Sequence, residues 1–234
     1  MEWCKEILEQ VKFENISNED EKKKIAQRIA QKVKDGEVIG FGSGSTSYLA
    51  VKEIGKKIKE EKIKILAIPT SYEIKMLCTE LEIPTTTIME HKPDWCFDGA
   101  DEVDANNWLI KGRGAAMFKE KLNIANSKIT YILVDKSKMV KELDTNFPIP
   151  VECYPLALNS VKEKLIELGA IEIKLRQALK KDGPVITENN NLILDVRFTE
   201  IYETLEKDIK DITGVIESGS VSYTHLTLPT TERV

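Results

Sequence analysis

Histidine is almost missing from this chain of 234 residues, which has only His91 and His225. Histidine is the commonest general base at neutral pH, so acid–base chemistry here must rest on carboxylates and lysines. Cysteine is nearly as scarce. Cys4, Cys78, Cys96 and Cys153 lie far apart, with no CxxC pair and no histidine cluster nearby. That spacing argues against a zinc site and a disulfide framework and predicts buried free thiols. No apolar run approaches the length of a membrane span, and the start, MEWCKEILEQ, lacks the basic-then-apolar order of a signal peptide. A cytoplasmic protein with no membrane partner is expected. A basic excess is lacking too: 34 Lys and Arg stand against 39 Asp and Glu, scattered rather than clustered, so no nucleic-acid partner is expected.

What is present is a hydrophobic content of 41%, enough for a substantial core in one domain or in a main domain with a smaller companion. From Glu19 to Lys34 the apolar residues Ile25, Ile29 and Val33, with Ala26 and Ala30, mark one face of an amphipathic helix that Asp35-Gly36 ends. Glu37–Phe41 reads as a short buried strand, followed by the turn GSGSTS and a helix carrying Ala50, Ile54 and Ile58. Ile63–Pro69 is the next strand, Ser71 can cap a helix through Leu81, and TTTIM (85–89) and DWCFD (94–98) read as two more. Strands alternating with helices predict an α/β fold with a mostly parallel, Rossmann-like sheet, whose ligands bind beyond the carboxyl ends of the strands.

Gly42-Ser43-Gly44-Ser45-Thr46 sits at that location. Its glycines permit a tight turn, and its amides and hydroxyls could hold a phosphate at the start of the next helix. A dinucleotide fingerprint would need glycine at 45, and a phosphate-binding Walker loop would need Gly-Lys; both are absent. Judged alone, the motif fits a plain helix start equally well. Downstream, Asp98-Gly99-Ala100-Asp101-Glu102 follows a strand, Lys111 ends the apolar run Trp108-Leu109-Ile110, and Gly112-Arg113-Gly114 opens a helix predicted over Ala115–Ala125, with Glu120 nearly two turns in. Each piece has a plainer reading as a charged turn, a helix cap or the solvated face Lys119-Glu120-Lys121. Three in succession, each beside a strand end, point to a site.

The order GSGST, DGADE, KGRGAAMFKEK and ILVDKSK resembles the type A ribose-5-phosphate isomerases, up to about residue 218. The resemblance implies an aldose–ketose isomerase of the non-oxidative pentose phosphate pathway, with no cofactor and no metal. It also implies a phosphopentose held by Ser43, Gly44, Ser45 and Thr46, by Asp98, Gly99, Ala100 and Asp101, by Lys111, Gly112, Arg113 and Gly114, and by Lys138. Glu120 would be the proton-transferring base, Lys111 an oxyanion donor, and Asp98 and Asp101 would contact sugar hydroxyls and assist ring opening. A carboxylate acts as base near neutrality when burial or neighbouring acids raise its pKa, and Asp98 and Asp101 are candidate neighbours. Arg113 departs from the family, where many members have a third glycine; its side chain must either turn away from the substrate or add a charge contact. Two rivals share broad features of this fold: a sugar-phosphate sensor, which needs no base and usually follows a helix-turn-helix for which residues 1–18 are too short, and a CoA transferase using a glutamate nucleophile. Lys111, Lys138 and the GSGST turn favour the isomerase.

Tyr131–Asp135 reads as another strand, with Lys136-Ser137-Lys138 at its end. After Phe147-Pro148-Ile149-Pro150 the pattern changes. VECY, a helix over Leu158–Leu168, IEIKLR, the turn Asn189-Asn190-Asn191, LILDV and a helix over Tyr202–Ile212 describe a compact α+β unit. The expected organisation is a catalytic domain over 1–147 and a small α+β domain over 148–219, the latter a candidate subunit contact in a homodimer or homotetramer. The last stretch, SVSYTHLTLPTTERV (220–234), is expected to be foreign to the natural gene and to replace a final strand. Its residues Val221–Thr230 can be back-translated into a transposase sequencing adapter, which leaves His225 without a function.

Overall fold

The computed structural model describes residue 13 and residues 16–222. The expectations for the leader, Cys4, His225 and most of the 220–234 tail lie outside these described residues. Among the described residues the chain divides into two compact units, one containing 16–99 and 119–136, the other 100–118 and 137–222. The sequence reading expects a single boundary at 147. The chain instead crosses at 99/100, 118/119 and 136/137, because residues 100–118 form strands that pair within the second unit.

The first unit is built on a four-stranded parallel sheet of β1 (Val38–Phe41), β2 (Leu66–Pro69), β3 (Trp95–Asp98) and β6 (Thr130–Ile132), in the order β2-β1-β3-β6. A parallel sheet covered by helices is buried on both faces, which is why VIGF and WCFD are runs with little polar alternation. Helix α1 (Glu19–Lys32) sets Glu19, Asp20 and Glu21 at its first turn and Lys32 at its last, in favourable alignment with the helix dipole. Its stripe of Ile25, Ala26, Ile29 and Ala30 joins a core that includes Ile39, Phe41, Ile54 and Phe97. Helix α2 (Ser45–Glu61) follows β1, and α3 (Tyr72–Glu80) is capped by Ser71, whose Oγ accepts from the Ile74 amide at 3.3 Å, as the sequence predicts.

Thr85–Met89 is not a strand. Only Thr85 bridges to Ala67, while the Glu90 carboxylate accepts hydrogen bonds from the Thr86 and Thr87 hydroxyls and from the Thr87 amide, folding the segment into a turn that leaves Met89 exposed. Cys78, Cys96 and Cys153 are buried and outside any disulfide, and burial pushes the pKa of Cys78 up to about 12.

The second unit contains β4 (Glu102–Val103), β5 (Leu109–Ile110), β7 (Ile149–Cys153), α5 (Leu158–Glu167), β8 (Ala170–Leu175), β9 (Leu192–Phe198), α6 (Leu205–Lys210), β10 (Val215–Ser218) and β11 (Ser220–Val221). Its main sheet is antiparallel in the order β10-β7-β9-β8, and a smaller sheet runs β11-β5-β4. Val161 and Leu165 of α5 and Leu205 and Ile209 of α6 fill the core against the main sheet, as their helical spacing predicts. Ser220 and Val221, at the start of the expected foreign tail, are ordered opposite Ile110 and Leu109. The remaining helix, α4 (Met117–Asn126), begins two residues later than predicted. Ala115 takes a left-handed φ of 65° and its amide bonds to Gly112 O, so a turn occupies the expected first helical residues.

Candidate active site

The carboxyl ends of the parallel strands carry one set of the predicted residues. At the end of β1 the chain turns through Gly42 and Ser43 into Gly44, the N-cap of α2, at φ 91° and ψ 173°, a conformation open to glycine and costly for residues with a Cβ. No side chain caps this helix, so the first-turn amides that follow Gly44 are placed to receive an anion. The Ser43 hydroxyl is fixed by contacts to Thr70 Oγ1 at 2.7 Å and Ser71 Oγ at 2.8 Å, at the end of β2. Thr46 is buried.

One residue that the sequence reading did not single out belongs to this turn. Lys22 of α1 is only 4% exposed, and its Nζ donates to Ser45 Oγ at 3.1 Å and Ser17 Oγ at 3.3 Å. A lysine is rarely buried without a partner of opposite charge or several acceptors. Its position adds a cation beside the hydroxyls and amides of the Ser43–Thr46 turn, an arrangement able to receive an anion. In the sequence it is one of three consecutive lysines on a charged helix. The only available signal was its place on the apolar side, three residues before Ile25.

Asp98 ends β3 and is 2% exposed; its Oδ1 accepts from the Gly99 amide at 2.7 Å. A Cβ on Gly42 would collide with the Asp98 carboxylate, and one on Gly99 would meet Ser43 O at 3.9 Å. Asp98 and Gly99 are therefore brought against the Ser43 turn. Glu120 is buried, at 4% exposed, in the first turn of α4 rather than nearly two turns in. Asn123, one turn further along, donates to Ile68 O at 2.9 Å and anchors this helix on the sheet.

The second unit carries the other predicted residues: Ala100, Asp101, Lys111, Gly112, Arg113, Gly114 and Lys138. Lys111 follows β5, is 1% exposed, and has its amide bonded to Gly219 O at 2.9 Å. Gly112 takes φ 94°, and a Cβ there would stand 2.9 Å from Met117 Cβ, so the turn requires glycine. Asp101 Oδ2 accepts from the Arg113 amide at 3.0 Å, which joins two of the predicted segments. The Arg113 side chain is exposed, with its guanidinium carbon 5.5 Å from the centroid of Phe147. Lys138 closes a short 3-10 turn, and its Nζ lies 4.9 Å from the same ring. Glu102 is fully buried and takes no part in a charged surface turn. It accepts the amides of Thr145, Asn146 and Phe147 at 3.3, 2.5 and 3.1 Å, and so holds the segment that presents Phe147.

The sequence of the whole chain, compared with known proteins, points to one family. The family model for ribose 5-phosphate isomerase A (phosphoriboisomerase A) matches residues 66–227. Ribose-5-phosphate isomerase A of Methanocaldococcus jannaschii is 47% identical over 207 residues, covering 87% of this chain and 91% of the relative. The chain belongs to the ribose-5-phosphate isomerase A family. The enzyme of that name from Methanothermobacter thermautotrophicus is 40% identical, over 85% of this chain and 88% of its own. Among solved structures, that of ribose 5-phosphate isomerase A from Methanocaldococcus jannaschii superposes with a TM-score of 0.85 at 45% identity, covering 88% of this chain and 92% of the other. A D-ribose-5-phosphate isomerase in complex with phospho-erythronic acid superposes with a TM-score of 0.84 at 39% identity, with the same coverage. Membership in the family agrees with the α/β architecture and with the parallel sheet.

Proposed function

We propose that this chain interconverts D-ribose 5-phosphate and D-ribulose 5-phosphate through an enediolate. The observation that carries the reading is the buried Glu120 carboxylate within a chain 47% identical to a ribose-5-phosphate isomerase A. Moving a proton between C2 and C1 requires one base that removes and redelivers it, and donors for the oxygen that becomes negative. Glu120 is the base and Lys111 the oxyanion donor. Asp98 and Asp101 bind the sugar hydroxyls and assist opening of the furanose ring, and Gly112–Gly114 bring backbone close to the substrate.

Ser43, Gly44, Ser45 and Thr46, together with Lys22 and Lys138, hold the phosphate. Anchoring this group away from C1 and C2 supplies binding energy for positioning the reacting carbons. The related enzyme solved with phospho-erythronic acid, a phosphorylated sugar acid, supports a phosphosugar as ligand. The proposed proton transfer draws on no metal or redox cofactor. The cytoplasm is the proposed place of work, and among the described residues no helix is long and apolar enough to cross a membrane. Assembly as a homodimer or homotetramer is part of this reading, and light scattering of the purified protein tests it.

The test is to mix purified protein with ribose 5-phosphate in a chelator and follow ketose formation. Turnover is expected. Its absence, with ribose 5-phosphate still bound, would favour a sugar-phosphate sensor.

A further inference from the structure

Arg176, on the strand side of the second unit and far from every motif in the sequence, grips the segment that follows Lys111. Its Nη1 donates to Gly112 O at 3.1 Å and to Arg113 O at 3.0 Å. The other edge of the guanidinium is engaged by Asp195 of β9: Nε donates to Asp195 Oδ2 at 2.9 Å and Nη2 to Asp195 Oδ1. Both side chains are mostly buried, at 16% and 21% exposed. The paired edge fixes the plane of the guanidinium, and the free nitrogen is thereby aimed at two successive carbonyls. Only a planar fork can do both at once.

The consequence follows from peptide geometry. In a trans peptide the C=O and N–H point in opposite directions. Gly112 O faces Arg176, and the Arg113 N–H of the same peptide reaches Asp101 Oδ2 at 3.0 Å, so this peptide unit is held at both ends. Arg113 O also faces Arg176, so the Gly114 N–H of the next peptide is turned to the opposite side. We propose that Arg176, locked by Asp195, is a positioning residue for the isomerisation: it sets the peptide planes of Gly112–Gly114 so that Lys111 and the Gly114 amide face the reacting end of the sugar. This rests on the isomerase reading above.

The proposal predicts a particular kinetic pattern. Arg176 bonds to Gly112, Arg113 and Asp195, none of which is a proposed phosphate ligand, so substrate capture should survive while alignment of C1 and C2 suffers. A misplacement of the order of an ångström at reacting atoms lowers turnover by up to about 10²-fold. Arg176→Ala and Arg176→Lys should each lower kcat by about 10- to 100-fold, with KM changed by no more than about threefold. Lysine keeps the charge beside Asp195 but cannot span two carbonyls, so it covers the case in which the alanine variant does not fold. Arg197→Ala is the matched control, because Arg197, on β9 with Asp195, forms an ion pair with Asp144 at 2.8 Å and bonds to no residue of the Gly112–Gly114 segment. It should lose thermal stability and keep kcat.

Folded Arg176→Lys with wild-type kcat would overturn the proposal. So would an equal fall in kcat for Arg197→Ala, which would mark the effect as general loosening of the unit. Failure of the underlying isomerase reading is separate, because the wild-type protein would then show no turnover at all.

Discussion

Asp101 Oδ2 accepts the backbone amide of Arg113 at 3.0 Å, so the DGADE segment is fastened to the KGRG segment by a carboxylate on a main-chain donor. This bond gives Asp101 a role beside its proposed sugar contact: it helps hold Gly112–Gly114 in shape. Asp101→Ala removes both roles at once. The expected loss in kcat/KM is about 10- to 100-fold, since a hydrogen bond to a charged group contributes about 1.5–3 kcal/mol. Steady-state assays at constant pH measure it, and a loss below about twofold would remove Asp101 from both roles.

Glu120→Gln keeps the size and burial of the side chain and removes its ability to accept a proton. A positioned general base contributes about 10²-fold or more, so turnover should fall by at least that factor while the melting temperature changes little. Near-normal turnover in this variant would assign the proton transfer to another group.

How far the sequence exposed these residues depended on how local the signal was. The turn at Gly42–Thr46 and the acids at Asp98 and Asp101 announce themselves because strand, glycine turn and helix are consecutive. Lys22 does not, since in EDEKKK it resembles its solvated neighbours and only packing tells which of the three lysines is buried. Arg176 acts on carbonyls more than sixty positions away, a relation that no periodicity encodes. Apolar spacing marks the helix that carries Glu120 but not its start, because Ala115 adopts a left-handed conformation usually left to glycine. Thr85–Met89 has the β-branched composition of a strand, yet Glu90 supplies side-chain acceptors that hold it as a turn.

Lys22→Met tests the cation in the proposed phosphate cradle. Methionine keeps the apolar stem within the buried site and removes the charge, so the fold should survive. If Lys22 binds the phosphate, KM for ribose 5-phosphate should rise about tenfold or more with a smaller change in kcat, and inhibition by inorganic phosphate should weaken in parallel. Unchanged KM and unchanged phosphate inhibition would make Lys22 a structural support rather than a phosphate ligand.

Asp144 gives a prediction about stability rather than catalysis. Burial raises its pKa to about 6, opposed by the Phe198 amide and by Arg197, and assisted by the negative charge of Glu102. An ordinary aspartate in the unfolded chain has lost its proton by about pH 4. Between about pH 4 and pH 6 the folded protein therefore retains a proton at Asp144 that the unfolded chain has released. The contribution to stability is full below pH 4 and is lost as pH rises through about 6, at no more than about 1.4 kcal/mol per pH unit for a single proton. Asp144→Asn removes this group and leaves Glu102 and Arg197 in place. Thermal melts of both proteins from pH 4 to pH 7 should show the wild-type melting temperature falling relative to the variant through that window and running parallel to it above. Curves that stay parallel throughout would mean that Asp144 titrates alike in the folded and unfolded chains, and that Arg197 and the Phe198 amide fully offset its burial.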